Sequence, residues 1–396
     1  MRKILFISLL LLVTHFCYGQ LSNEFIPNYD AGKHGVTAYD WEQYIMWADK
    51  EVLKKKRTNT KTRVSIHGEK FYINGKPTYQ GRMWQGISVE GLLPNSRMVQ
   101  GVFDDLNPET VDRWKYPDTG KWDPERNTNE FIAAMTEWYN MGLLAFTINF
   151  QGGSPEGYSA KQPWENNAFD ADGALRLEFA KRMNNIVRKA DELGMIVILG
   201  IFYFGQDERL KDEKAVIAAV DNVIDWVQQN EYTNILIEVA NECNLKKYDH
   251  EIIKQERIHE LILRIKERAP ELLVSTSFGG GTIPTDNVVK VSDYILVHGN
   301  GVHEPARITE MVKTIRSLSS YLPKPIVFNE DDHFDFDKPE NNFTNATKVF
   351  ASWGYFDFRM NDEGFDEGYQ SVPVNWNISS LRKKGFFNKV KEIFLD

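Results

Sequence analysis

Two glutamates in this chain of 396 residues each close a short apolar run. Glu242 ends Ile-Leu-Ile-Glu-Val-Ala-Asn-Glu, with Asn241 before it, and Glu330 ends Pro-Ile-Val-Phe-Asn-Glu. Runs this short and β-branched read as buried strands, so the polar residues at their tips face solvent or a ligand. Side chains alternate along a strand, which puts Glu238 and Glu242 on one face and turns Asn241 to the other at the rim. Two carboxyl groups held close together make ionising both unfavourable, and such a pair can divide acid, base and nucleophilic roles. Asn149, His298 and Asn300 stand at the ends of two further runs.

These side chains must be positioned by a repeating scaffold. Strand-like runs at residues 78–84, 143–150, 195–204, 234–242, 272–278, 294–298, 325–330 and 351–358 alternate with helical patterns. The helices are expected at 129–140, 173–193, 211–229, 248–268, 304–321, near Asn345 and at 379–394, with 282–292 the weakest pattern. Eight strand-helix repeats, without a dinucleotide glycine fingerprint after the first, favour a (β/α)8 barrel over a doubly wound sheet. In that barrel the site lies where strands end and the following loops begin, where Asn149, Gln151, Asn241, Glu242, His298, Asn300 and Glu330 all fall.

The barrel is expected over residues 63–396, opened by a hairpin at 63–79 that turns at Asn74-Gly75. Before it, residues 20–62 form a lead-in whose apolar residues recur at helical spacing over 38–56. Residues 1–19 have the basic start, apolar centre and small-residue end of a cleavable secretory signal. The expected product is secreted or periplasmic, without a membrane anchor, and keeps one cysteine, Cys243, so no internal disulfide can support it. A formal charge of −9 and a pI near 5.5 disfavour nucleic acid and anionic membranes and leave a neutral partner easier to accept.

The stretch Ile237-Glu238-Val239-Ala240-Asn241-Glu242 resembles the fourth strand of clan A retaining glycoside hydrolases, especially the cellulase-like family 5 branch. Pro325-Ile326-Val327-Phe328-Asn329-Glu330 resembles the seventh strand of the same clan. The resemblance implies a carbohydrate substrate, Glu242 as acid/base and Glu330 as nucleophile. Asn241 would then bind the sugar 2-hydroxyl, His298 would orient a carboxylate or hydroxyl, and Trp353 would supply a flat floor for a sugar ring. Glu238, a layer deeper, is expected to pair with a basic residue such as Arg82, and Asn149, Asn300 and Arg82 complete the expected substrate-binding set.

The pattern also departs from that family. Asn300 stands where a tyrosine often supports the nucleophile, Cys243 stands where proline is usual, and Asp331 follows Glu330 in place of an aromatic residue. Asp331 and Asp332 are therefore candidates to share part of the catalytic role. The acidic run 331–337 lacks the length and central glycine of an EF-hand, and neither a metal nor a cofactor is expected. Two long loops, 85–128 with Trp114, Tyr116 and Trp122, and 152–172 with Tyr158 and Trp164, are expected to line a groove for several sugar units. Asn342, Asn345 and Asn377 begin N-glycosylation patterns. The rivals to a glycosidase are a barrel that binds glycan without cleaving it and a barrel hydrolase of different chemistry.

Overall fold

The structure is a computed structural model that describes residues 62–159 and 161–396. The signal sequence and the lead-in helix lie outside the described residues. Thr60–Asp396 form one compact unit.

The described chain opens with β1 (Val64–His67), β2 (Lys70–Ile73) and β3 (Lys76–Pro77), an antiparallel meander. Asn74 and Gly75 both have positive φ, 53° and 76°, as the tight turn between β2 and β3 requires. A second small hairpin, β4 (Met83–Trp84) with β5 (Ile87–Ser88), follows. Eight parallel strands then build the barrel: β6 (Asn95–Arg97), β7 (Ala145–Asn149), β8 (Ile196–Phe202), β9 (Ile235–Ala240), β10 (Leu273–Ser275), β11 (Ile295–His298), β12 (Ile326–Glu330) and β13 (Gly354–Tyr355). Six of them hydrogen-bond in the order β10-β9-β8-β7-β6-β13, and β11 pairs with β12. Parallel bridges Val327↔Ser352 and Asp331↔Tyr355 join β12 to β13. The Asp293 amide, bonded to Val274 O at 2.9 Å, links the β10 and β11 segments. The chain is a (β/α)8 barrel.

The connecting helices are α1 (Pro124–Asn140), α2 (Leu177–Leu193), α3 (Glu213–Gln229), α4 (Ile258–Arg268), α5 (Asp286–Val291), α6 (Pro305–Ser317), α7 (Asn342–Lys348) and α8 (Leu381–Phe394). Their starts are set locally: Asp123 caps α1 ahead of Pro124, Asp212 caps α3, and Asn341 with Thr344 forms a capping box on α7. Their apolar faces pack on outward-facing strand residues such as Phe146, Ile148, Val197 and Leu199.

One expected strand is wrong. Residues 78–84 do not enter the barrel; they form the turn that follows β3 and the strand β4. The first barrel strand is Asn95–Arg97, whose three polar residues carry no apolar run for a periodicity argument to find. Inside the barrel, Ala145, Ile196, Ile198, Leu236, Leu296 and Val327 pack with Val64 and Phe71 of the meander, which plugs that end as expected. Toward the strand tips the interior turns polar. Asn149, Gly200, Glu238 and Ser275 are register partners across β7 to β10, so their side chains share one layer.

Candidate active site

The tips of β6, β9, β11 and β12 converge on one polar cluster. Arg97, fully buried, anchors it. Its Nε lies 2.7 Å from Glu330 Oε2, its Nη1 3.2 Å from Glu238 Oε2, and its Nη2 donates to Asn241 Oδ1 at 2.7 Å. Asn329 Nδ2 donates to the other oxygen of Glu238 at 3.2 Å. One guanidinium thus ties the deeper carboxylate to the rim carboxylate, and its fork geometry lets it serve both.

Glu242 sits just past β9 in the left-handed region, with φ 51°, and its amide donates to Ser277 Oγ at 2.9 Å. That turn brings its carboxylate to His298, whose Nδ1 lies 3.0 Å from Glu242 Oε1 and 3.7 Å from Glu330 Oε2. Glu242, His298 and Glu330 each place one oxygen or nitrogen within 4.8 Å of the others'. Asn300 Nδ2 donates to Glu330 Oε1 at 2.5 Å. Asn241 Nδ2, His298 Nε2 and Asn300 Oδ1 are buried and have no hydrogen-bond partner among the described residues. A donor, a ring nitrogen and an acceptor around two carboxylates suit a ligand carrying several hydroxyl groups.

Electrostatics here belong to the group as a whole. Burial pushes the Glu330 carboxyl above the usual range, against the pull of His298 and Arg97. Burial acts upward most strongly on Glu242, but the His298 hydrogen bond together with the charges of His298, Arg97 and Lys247 outweighs it and holds that carboxyl below its ordinary value. His298 is raised: burial opposes its charge, and the two glutamates overcome burial. Glu242 was expected to be raised by its carboxylate neighbour; the imidazole between the pair reverses the sign. With Glu242 lowered and His298 raised, the hydrogen bond between them favours the charged forms of both.

Several expected site residues lie elsewhere. Arg82 is on the small β4–β5 hairpin side and donates to the backbone oxygens of Ile393 and Glu392 in α8. Glu238 pairs with Arg97 instead. Trp353 has 0% exposure; its indole N–H donates to Asp331 Oδ2 at 2.8 Å and Phe343 stacks on it at 4.8 Å, so its ring face is core and not a floor. Asn149 is buried in the layer of Glu238, its Oδ1 2.1 Å from where a Cβ on Gly200 would lie. Asp331 is also committed, since its oxygens accept from Trp353, Asn342 and the His333 ring.

The loop aromatics mostly pack on one another. Trp114 meets Phe103 and Trp164 edge-on and donates to Asp105 at 2.7 Å, while Tyr116 stacks on Trp122. Tyr158 is the exception, 58% exposed with its hydroxyl donating to Asp332 Oδ2 at 2.9 Å. Asn342 and Asn345 are buried, so of the three glycosylation patterns only Asn377 presents an exposed side chain. Cys243, next to Glu242, is buried and unpaired, and burial pushes its thiol well up.

Arg97 was missed from sequence because its strand was missed. Counting back from the Thr147 position, its register partner, would have been the one available signal. Tyr203, buried beside the two glutamates, was also missed; it follows the apolar run of β8 and reads as core.

The class defined by this architecture is the parallel (β/α)8 barrel with a glutamate at the tips of the fourth and seventh strands. Among solved structures it is similar to an endo-1,4-β-mannanase from Rhizomucor miehei, with 11% identity over 84% of this chain and 98% of that one and a TM-score of 0.53. A glycoside hydrolase family 5 mannosidase from the same organism matches with 12% identity over 85% of this chain and 98% of that one, TM-score 0.51. At these identities the likeness is one of fold. No protein-family model and no curated protein matches the sequence.

Proposed function

We propose that this protein is a retaining glycoside hydrolase acting on β-linked saccharide, with Glu330 as nucleophile and Glu242 as acid/base. The observation that carries the reading is the carboxylate pair, whose oxygens approach within 4.8 Å at the tips of β9 and β12. Retaining enzymes hold their carboxyl groups about 5–5.5 Å apart, whereas inverting ones need about 6.5–9.5 Å to admit a water.

The chemistry follows from the partners. Arg97 and Asn300 each hold one oxygen of Glu330, which fixes the carboxylate for attack on the anomeric carbon. As the bond to the leaving oxygen breaks, Glu242, hydrogen-bonded to His298, gives a proton to that oxygen. The glycosyl-enzyme ester removes the negative charge of Glu330, and with it one of the two charges that keep His298 protonated. Glu242 is then the base that takes a proton from water, and hydroxide attack releases the sugar and restores Glu330. Asn241 Nδ2 supplies a hydrogen bond to the sugar, strongest in the transition state.

The test is product release from soluble β-mannans, β-glucans, xylans and aryl β-glycosides by wild type, Glu330→Gln and Glu242→Gln. β-Mannan leads the panel because the two fungal proteins of like fold are a mannanase and a mannosidase by name. Turnover in wild type that both variants lose is the expected result; full activity in both would sink the assignment. Binding without release would point to a glycan-binding barrel. A second reading rests on the same three residues, which could hold a cation: activity lost to a chelator and restored by metal would favour a metal-dependent hydrolase. The basic, apolar start of the chain supports export, testable by recovering the processed protein outside the cytoplasm.

A further inference from the structure

The loops after β11 and β12 bring two histidines together at the barrel rim. His333 Nε2 and His303 Nδ1 lie 3.2 Å apart, with the rings inclined at 72° and the contact open to solvent. We propose that His303 and His333 form a binding site for a borderline-soft divalent cation of the zinc type, separate from the carboxylate pair.

The tautomer of His333 supports it. Asp331 Oδ2 accepts from the Trp353 indole at 2.8 Å and the Asn342 amide at 3.0 Å, and Oδ1 accepts from the His333 backbone at 3.1 Å. The ring contact is His333 Nδ1 at 2.7 Å from Asp331 Oδ1, which turns the other ring nitrogen outward. Nε2 faces His303, and in the neutral ring with Nδ1–H on Asp331 it is the nitrogen free to bind a cation. A buried carboxylate behind an outward-facing imidazole is the support that metal-binding histidines use to fix their orientation and raise their basicity.

The spacing fits as well. A tetrahedral ion with metal–nitrogen bonds of about 2.0–2.1 Å spans two nitrogens about 3.3 Å apart. Asp332 Oδ1, 3.4 Å from His333 Nδ1, adds negative charge beside the pair without occupying it. Water would complete the coordination, since the contact faces solvent.

The alternative is a plain hydrogen bond between the rings, and calorimetric titration of the full chain with zinc chloride, after chelator treatment and dialysis, separates the two. One equivalent bound by wild type and by Glu330→Gln, but by neither His303→Ala nor His333→Ala, is expected, with His303→Ala keeping the metal-free melting temperature of wild type. Asp331→Asn should weaken binding about 10- to 100-fold through the lost support of the ring. Absence of zinc binding in wild type, or its persistence in either histidine variant, overturns the proposal. Loss in Glu330→Gln alone does so too, because it moves the cation to the carboxylate pair. The readout is binding, so it is independent of whether the barrel cleaves sugars.

Discussion

Arg97 connects two buried acidic layers, and the site depends on it more than on any other single side chain. Removing one partner of a buried ion pair leaves the other charge uncompensated, a loss of about 3–5 kcal/mol. Here one substitution would strand both Glu238 and Glu330. Arg97→Met is therefore expected to lose stability at the upper end of that range, read as a shift of the urea midpoint, with activity abolished. A variant as stable as wild type would mean that the pairing contributes nothing net. Asn300 offers a milder test. Its amide bond to Glu330 is a hydrogen bond to a charged group, and its loss corresponds to about 1.5–3 kcal/mol. Asn300→Ala should lower kcat roughly 10- to 100-fold, with a modest fall in melting temperature from the same lost bond. Unchanged kcat would remove Asn300 from the positioning of the nucleophile.

At the scale of elements, legibility followed the apolar run. Seven of the barrel strands, β7 to β13, fall within the runs legible in the sequence: β7 to β12 carry buried aliphatic residues that show the pattern, and β13, Gly354–Tyr355, is marked by the aromatic residues around it. Glu242, Glu330, His298 and Asn300 were legible for the same reason: each stands at the end of a visible run. The strand Asn95–Arg97 contributes polar side chains to the interior, so nothing in its period marks it as buried. Arg82 was chosen in the place of Arg97 for want of that strand. Trp353 and the loop tryptophans show a different limit, since an aromatic side chain near a strand tip has the same sequence signature whether it packs inward or lines a cleft.

Element packing makes a further prediction at Gly200. Its position in β8 has no room for a methyl group because the Asn149 side chain fills the space, with Oδ1 2.1 Å from an ideal Cβ. Gly200→Ala should cost about 1–3 kcal/mol as an overpacked core site. Adding Asn149→Ala should recover part of the loss, measured as a coupling energy in a double-mutant cycle. Strict additivity would show that the two side chains do not compete for the same space.

Across the whole molecule, the charged cluster links stability to pH. The folded protein raises His298, chiefly through Glu330 and Glu242 acting against burial. Stability from the charged ring is then fully present below the unfolded histidine value of about 6.5 and is lost as pH rises through the folded value. Thermal unfolding of wild type and His298→Gln should therefore differ most in mildly acidic buffer and converge in alkaline buffer. A gap that widens with pH would show that the ring is neutral in the folded state. The meander at the opposite end, with Val64 and Phe71 seated in the barrel, leaves this cluster free of the burden of closing the core.

Cys243 turns the architecture into its own reporter. Its sulfur is sealed behind the strand tip that carries Glu242, and burial keeps it as an unreactive thiol. A thiol reagent can modify it only when that tip opens, so in a chain with Cys17 replaced the labelling rate becomes a clock for breathing of the catalytic strand. A tight saccharide should slow that clock.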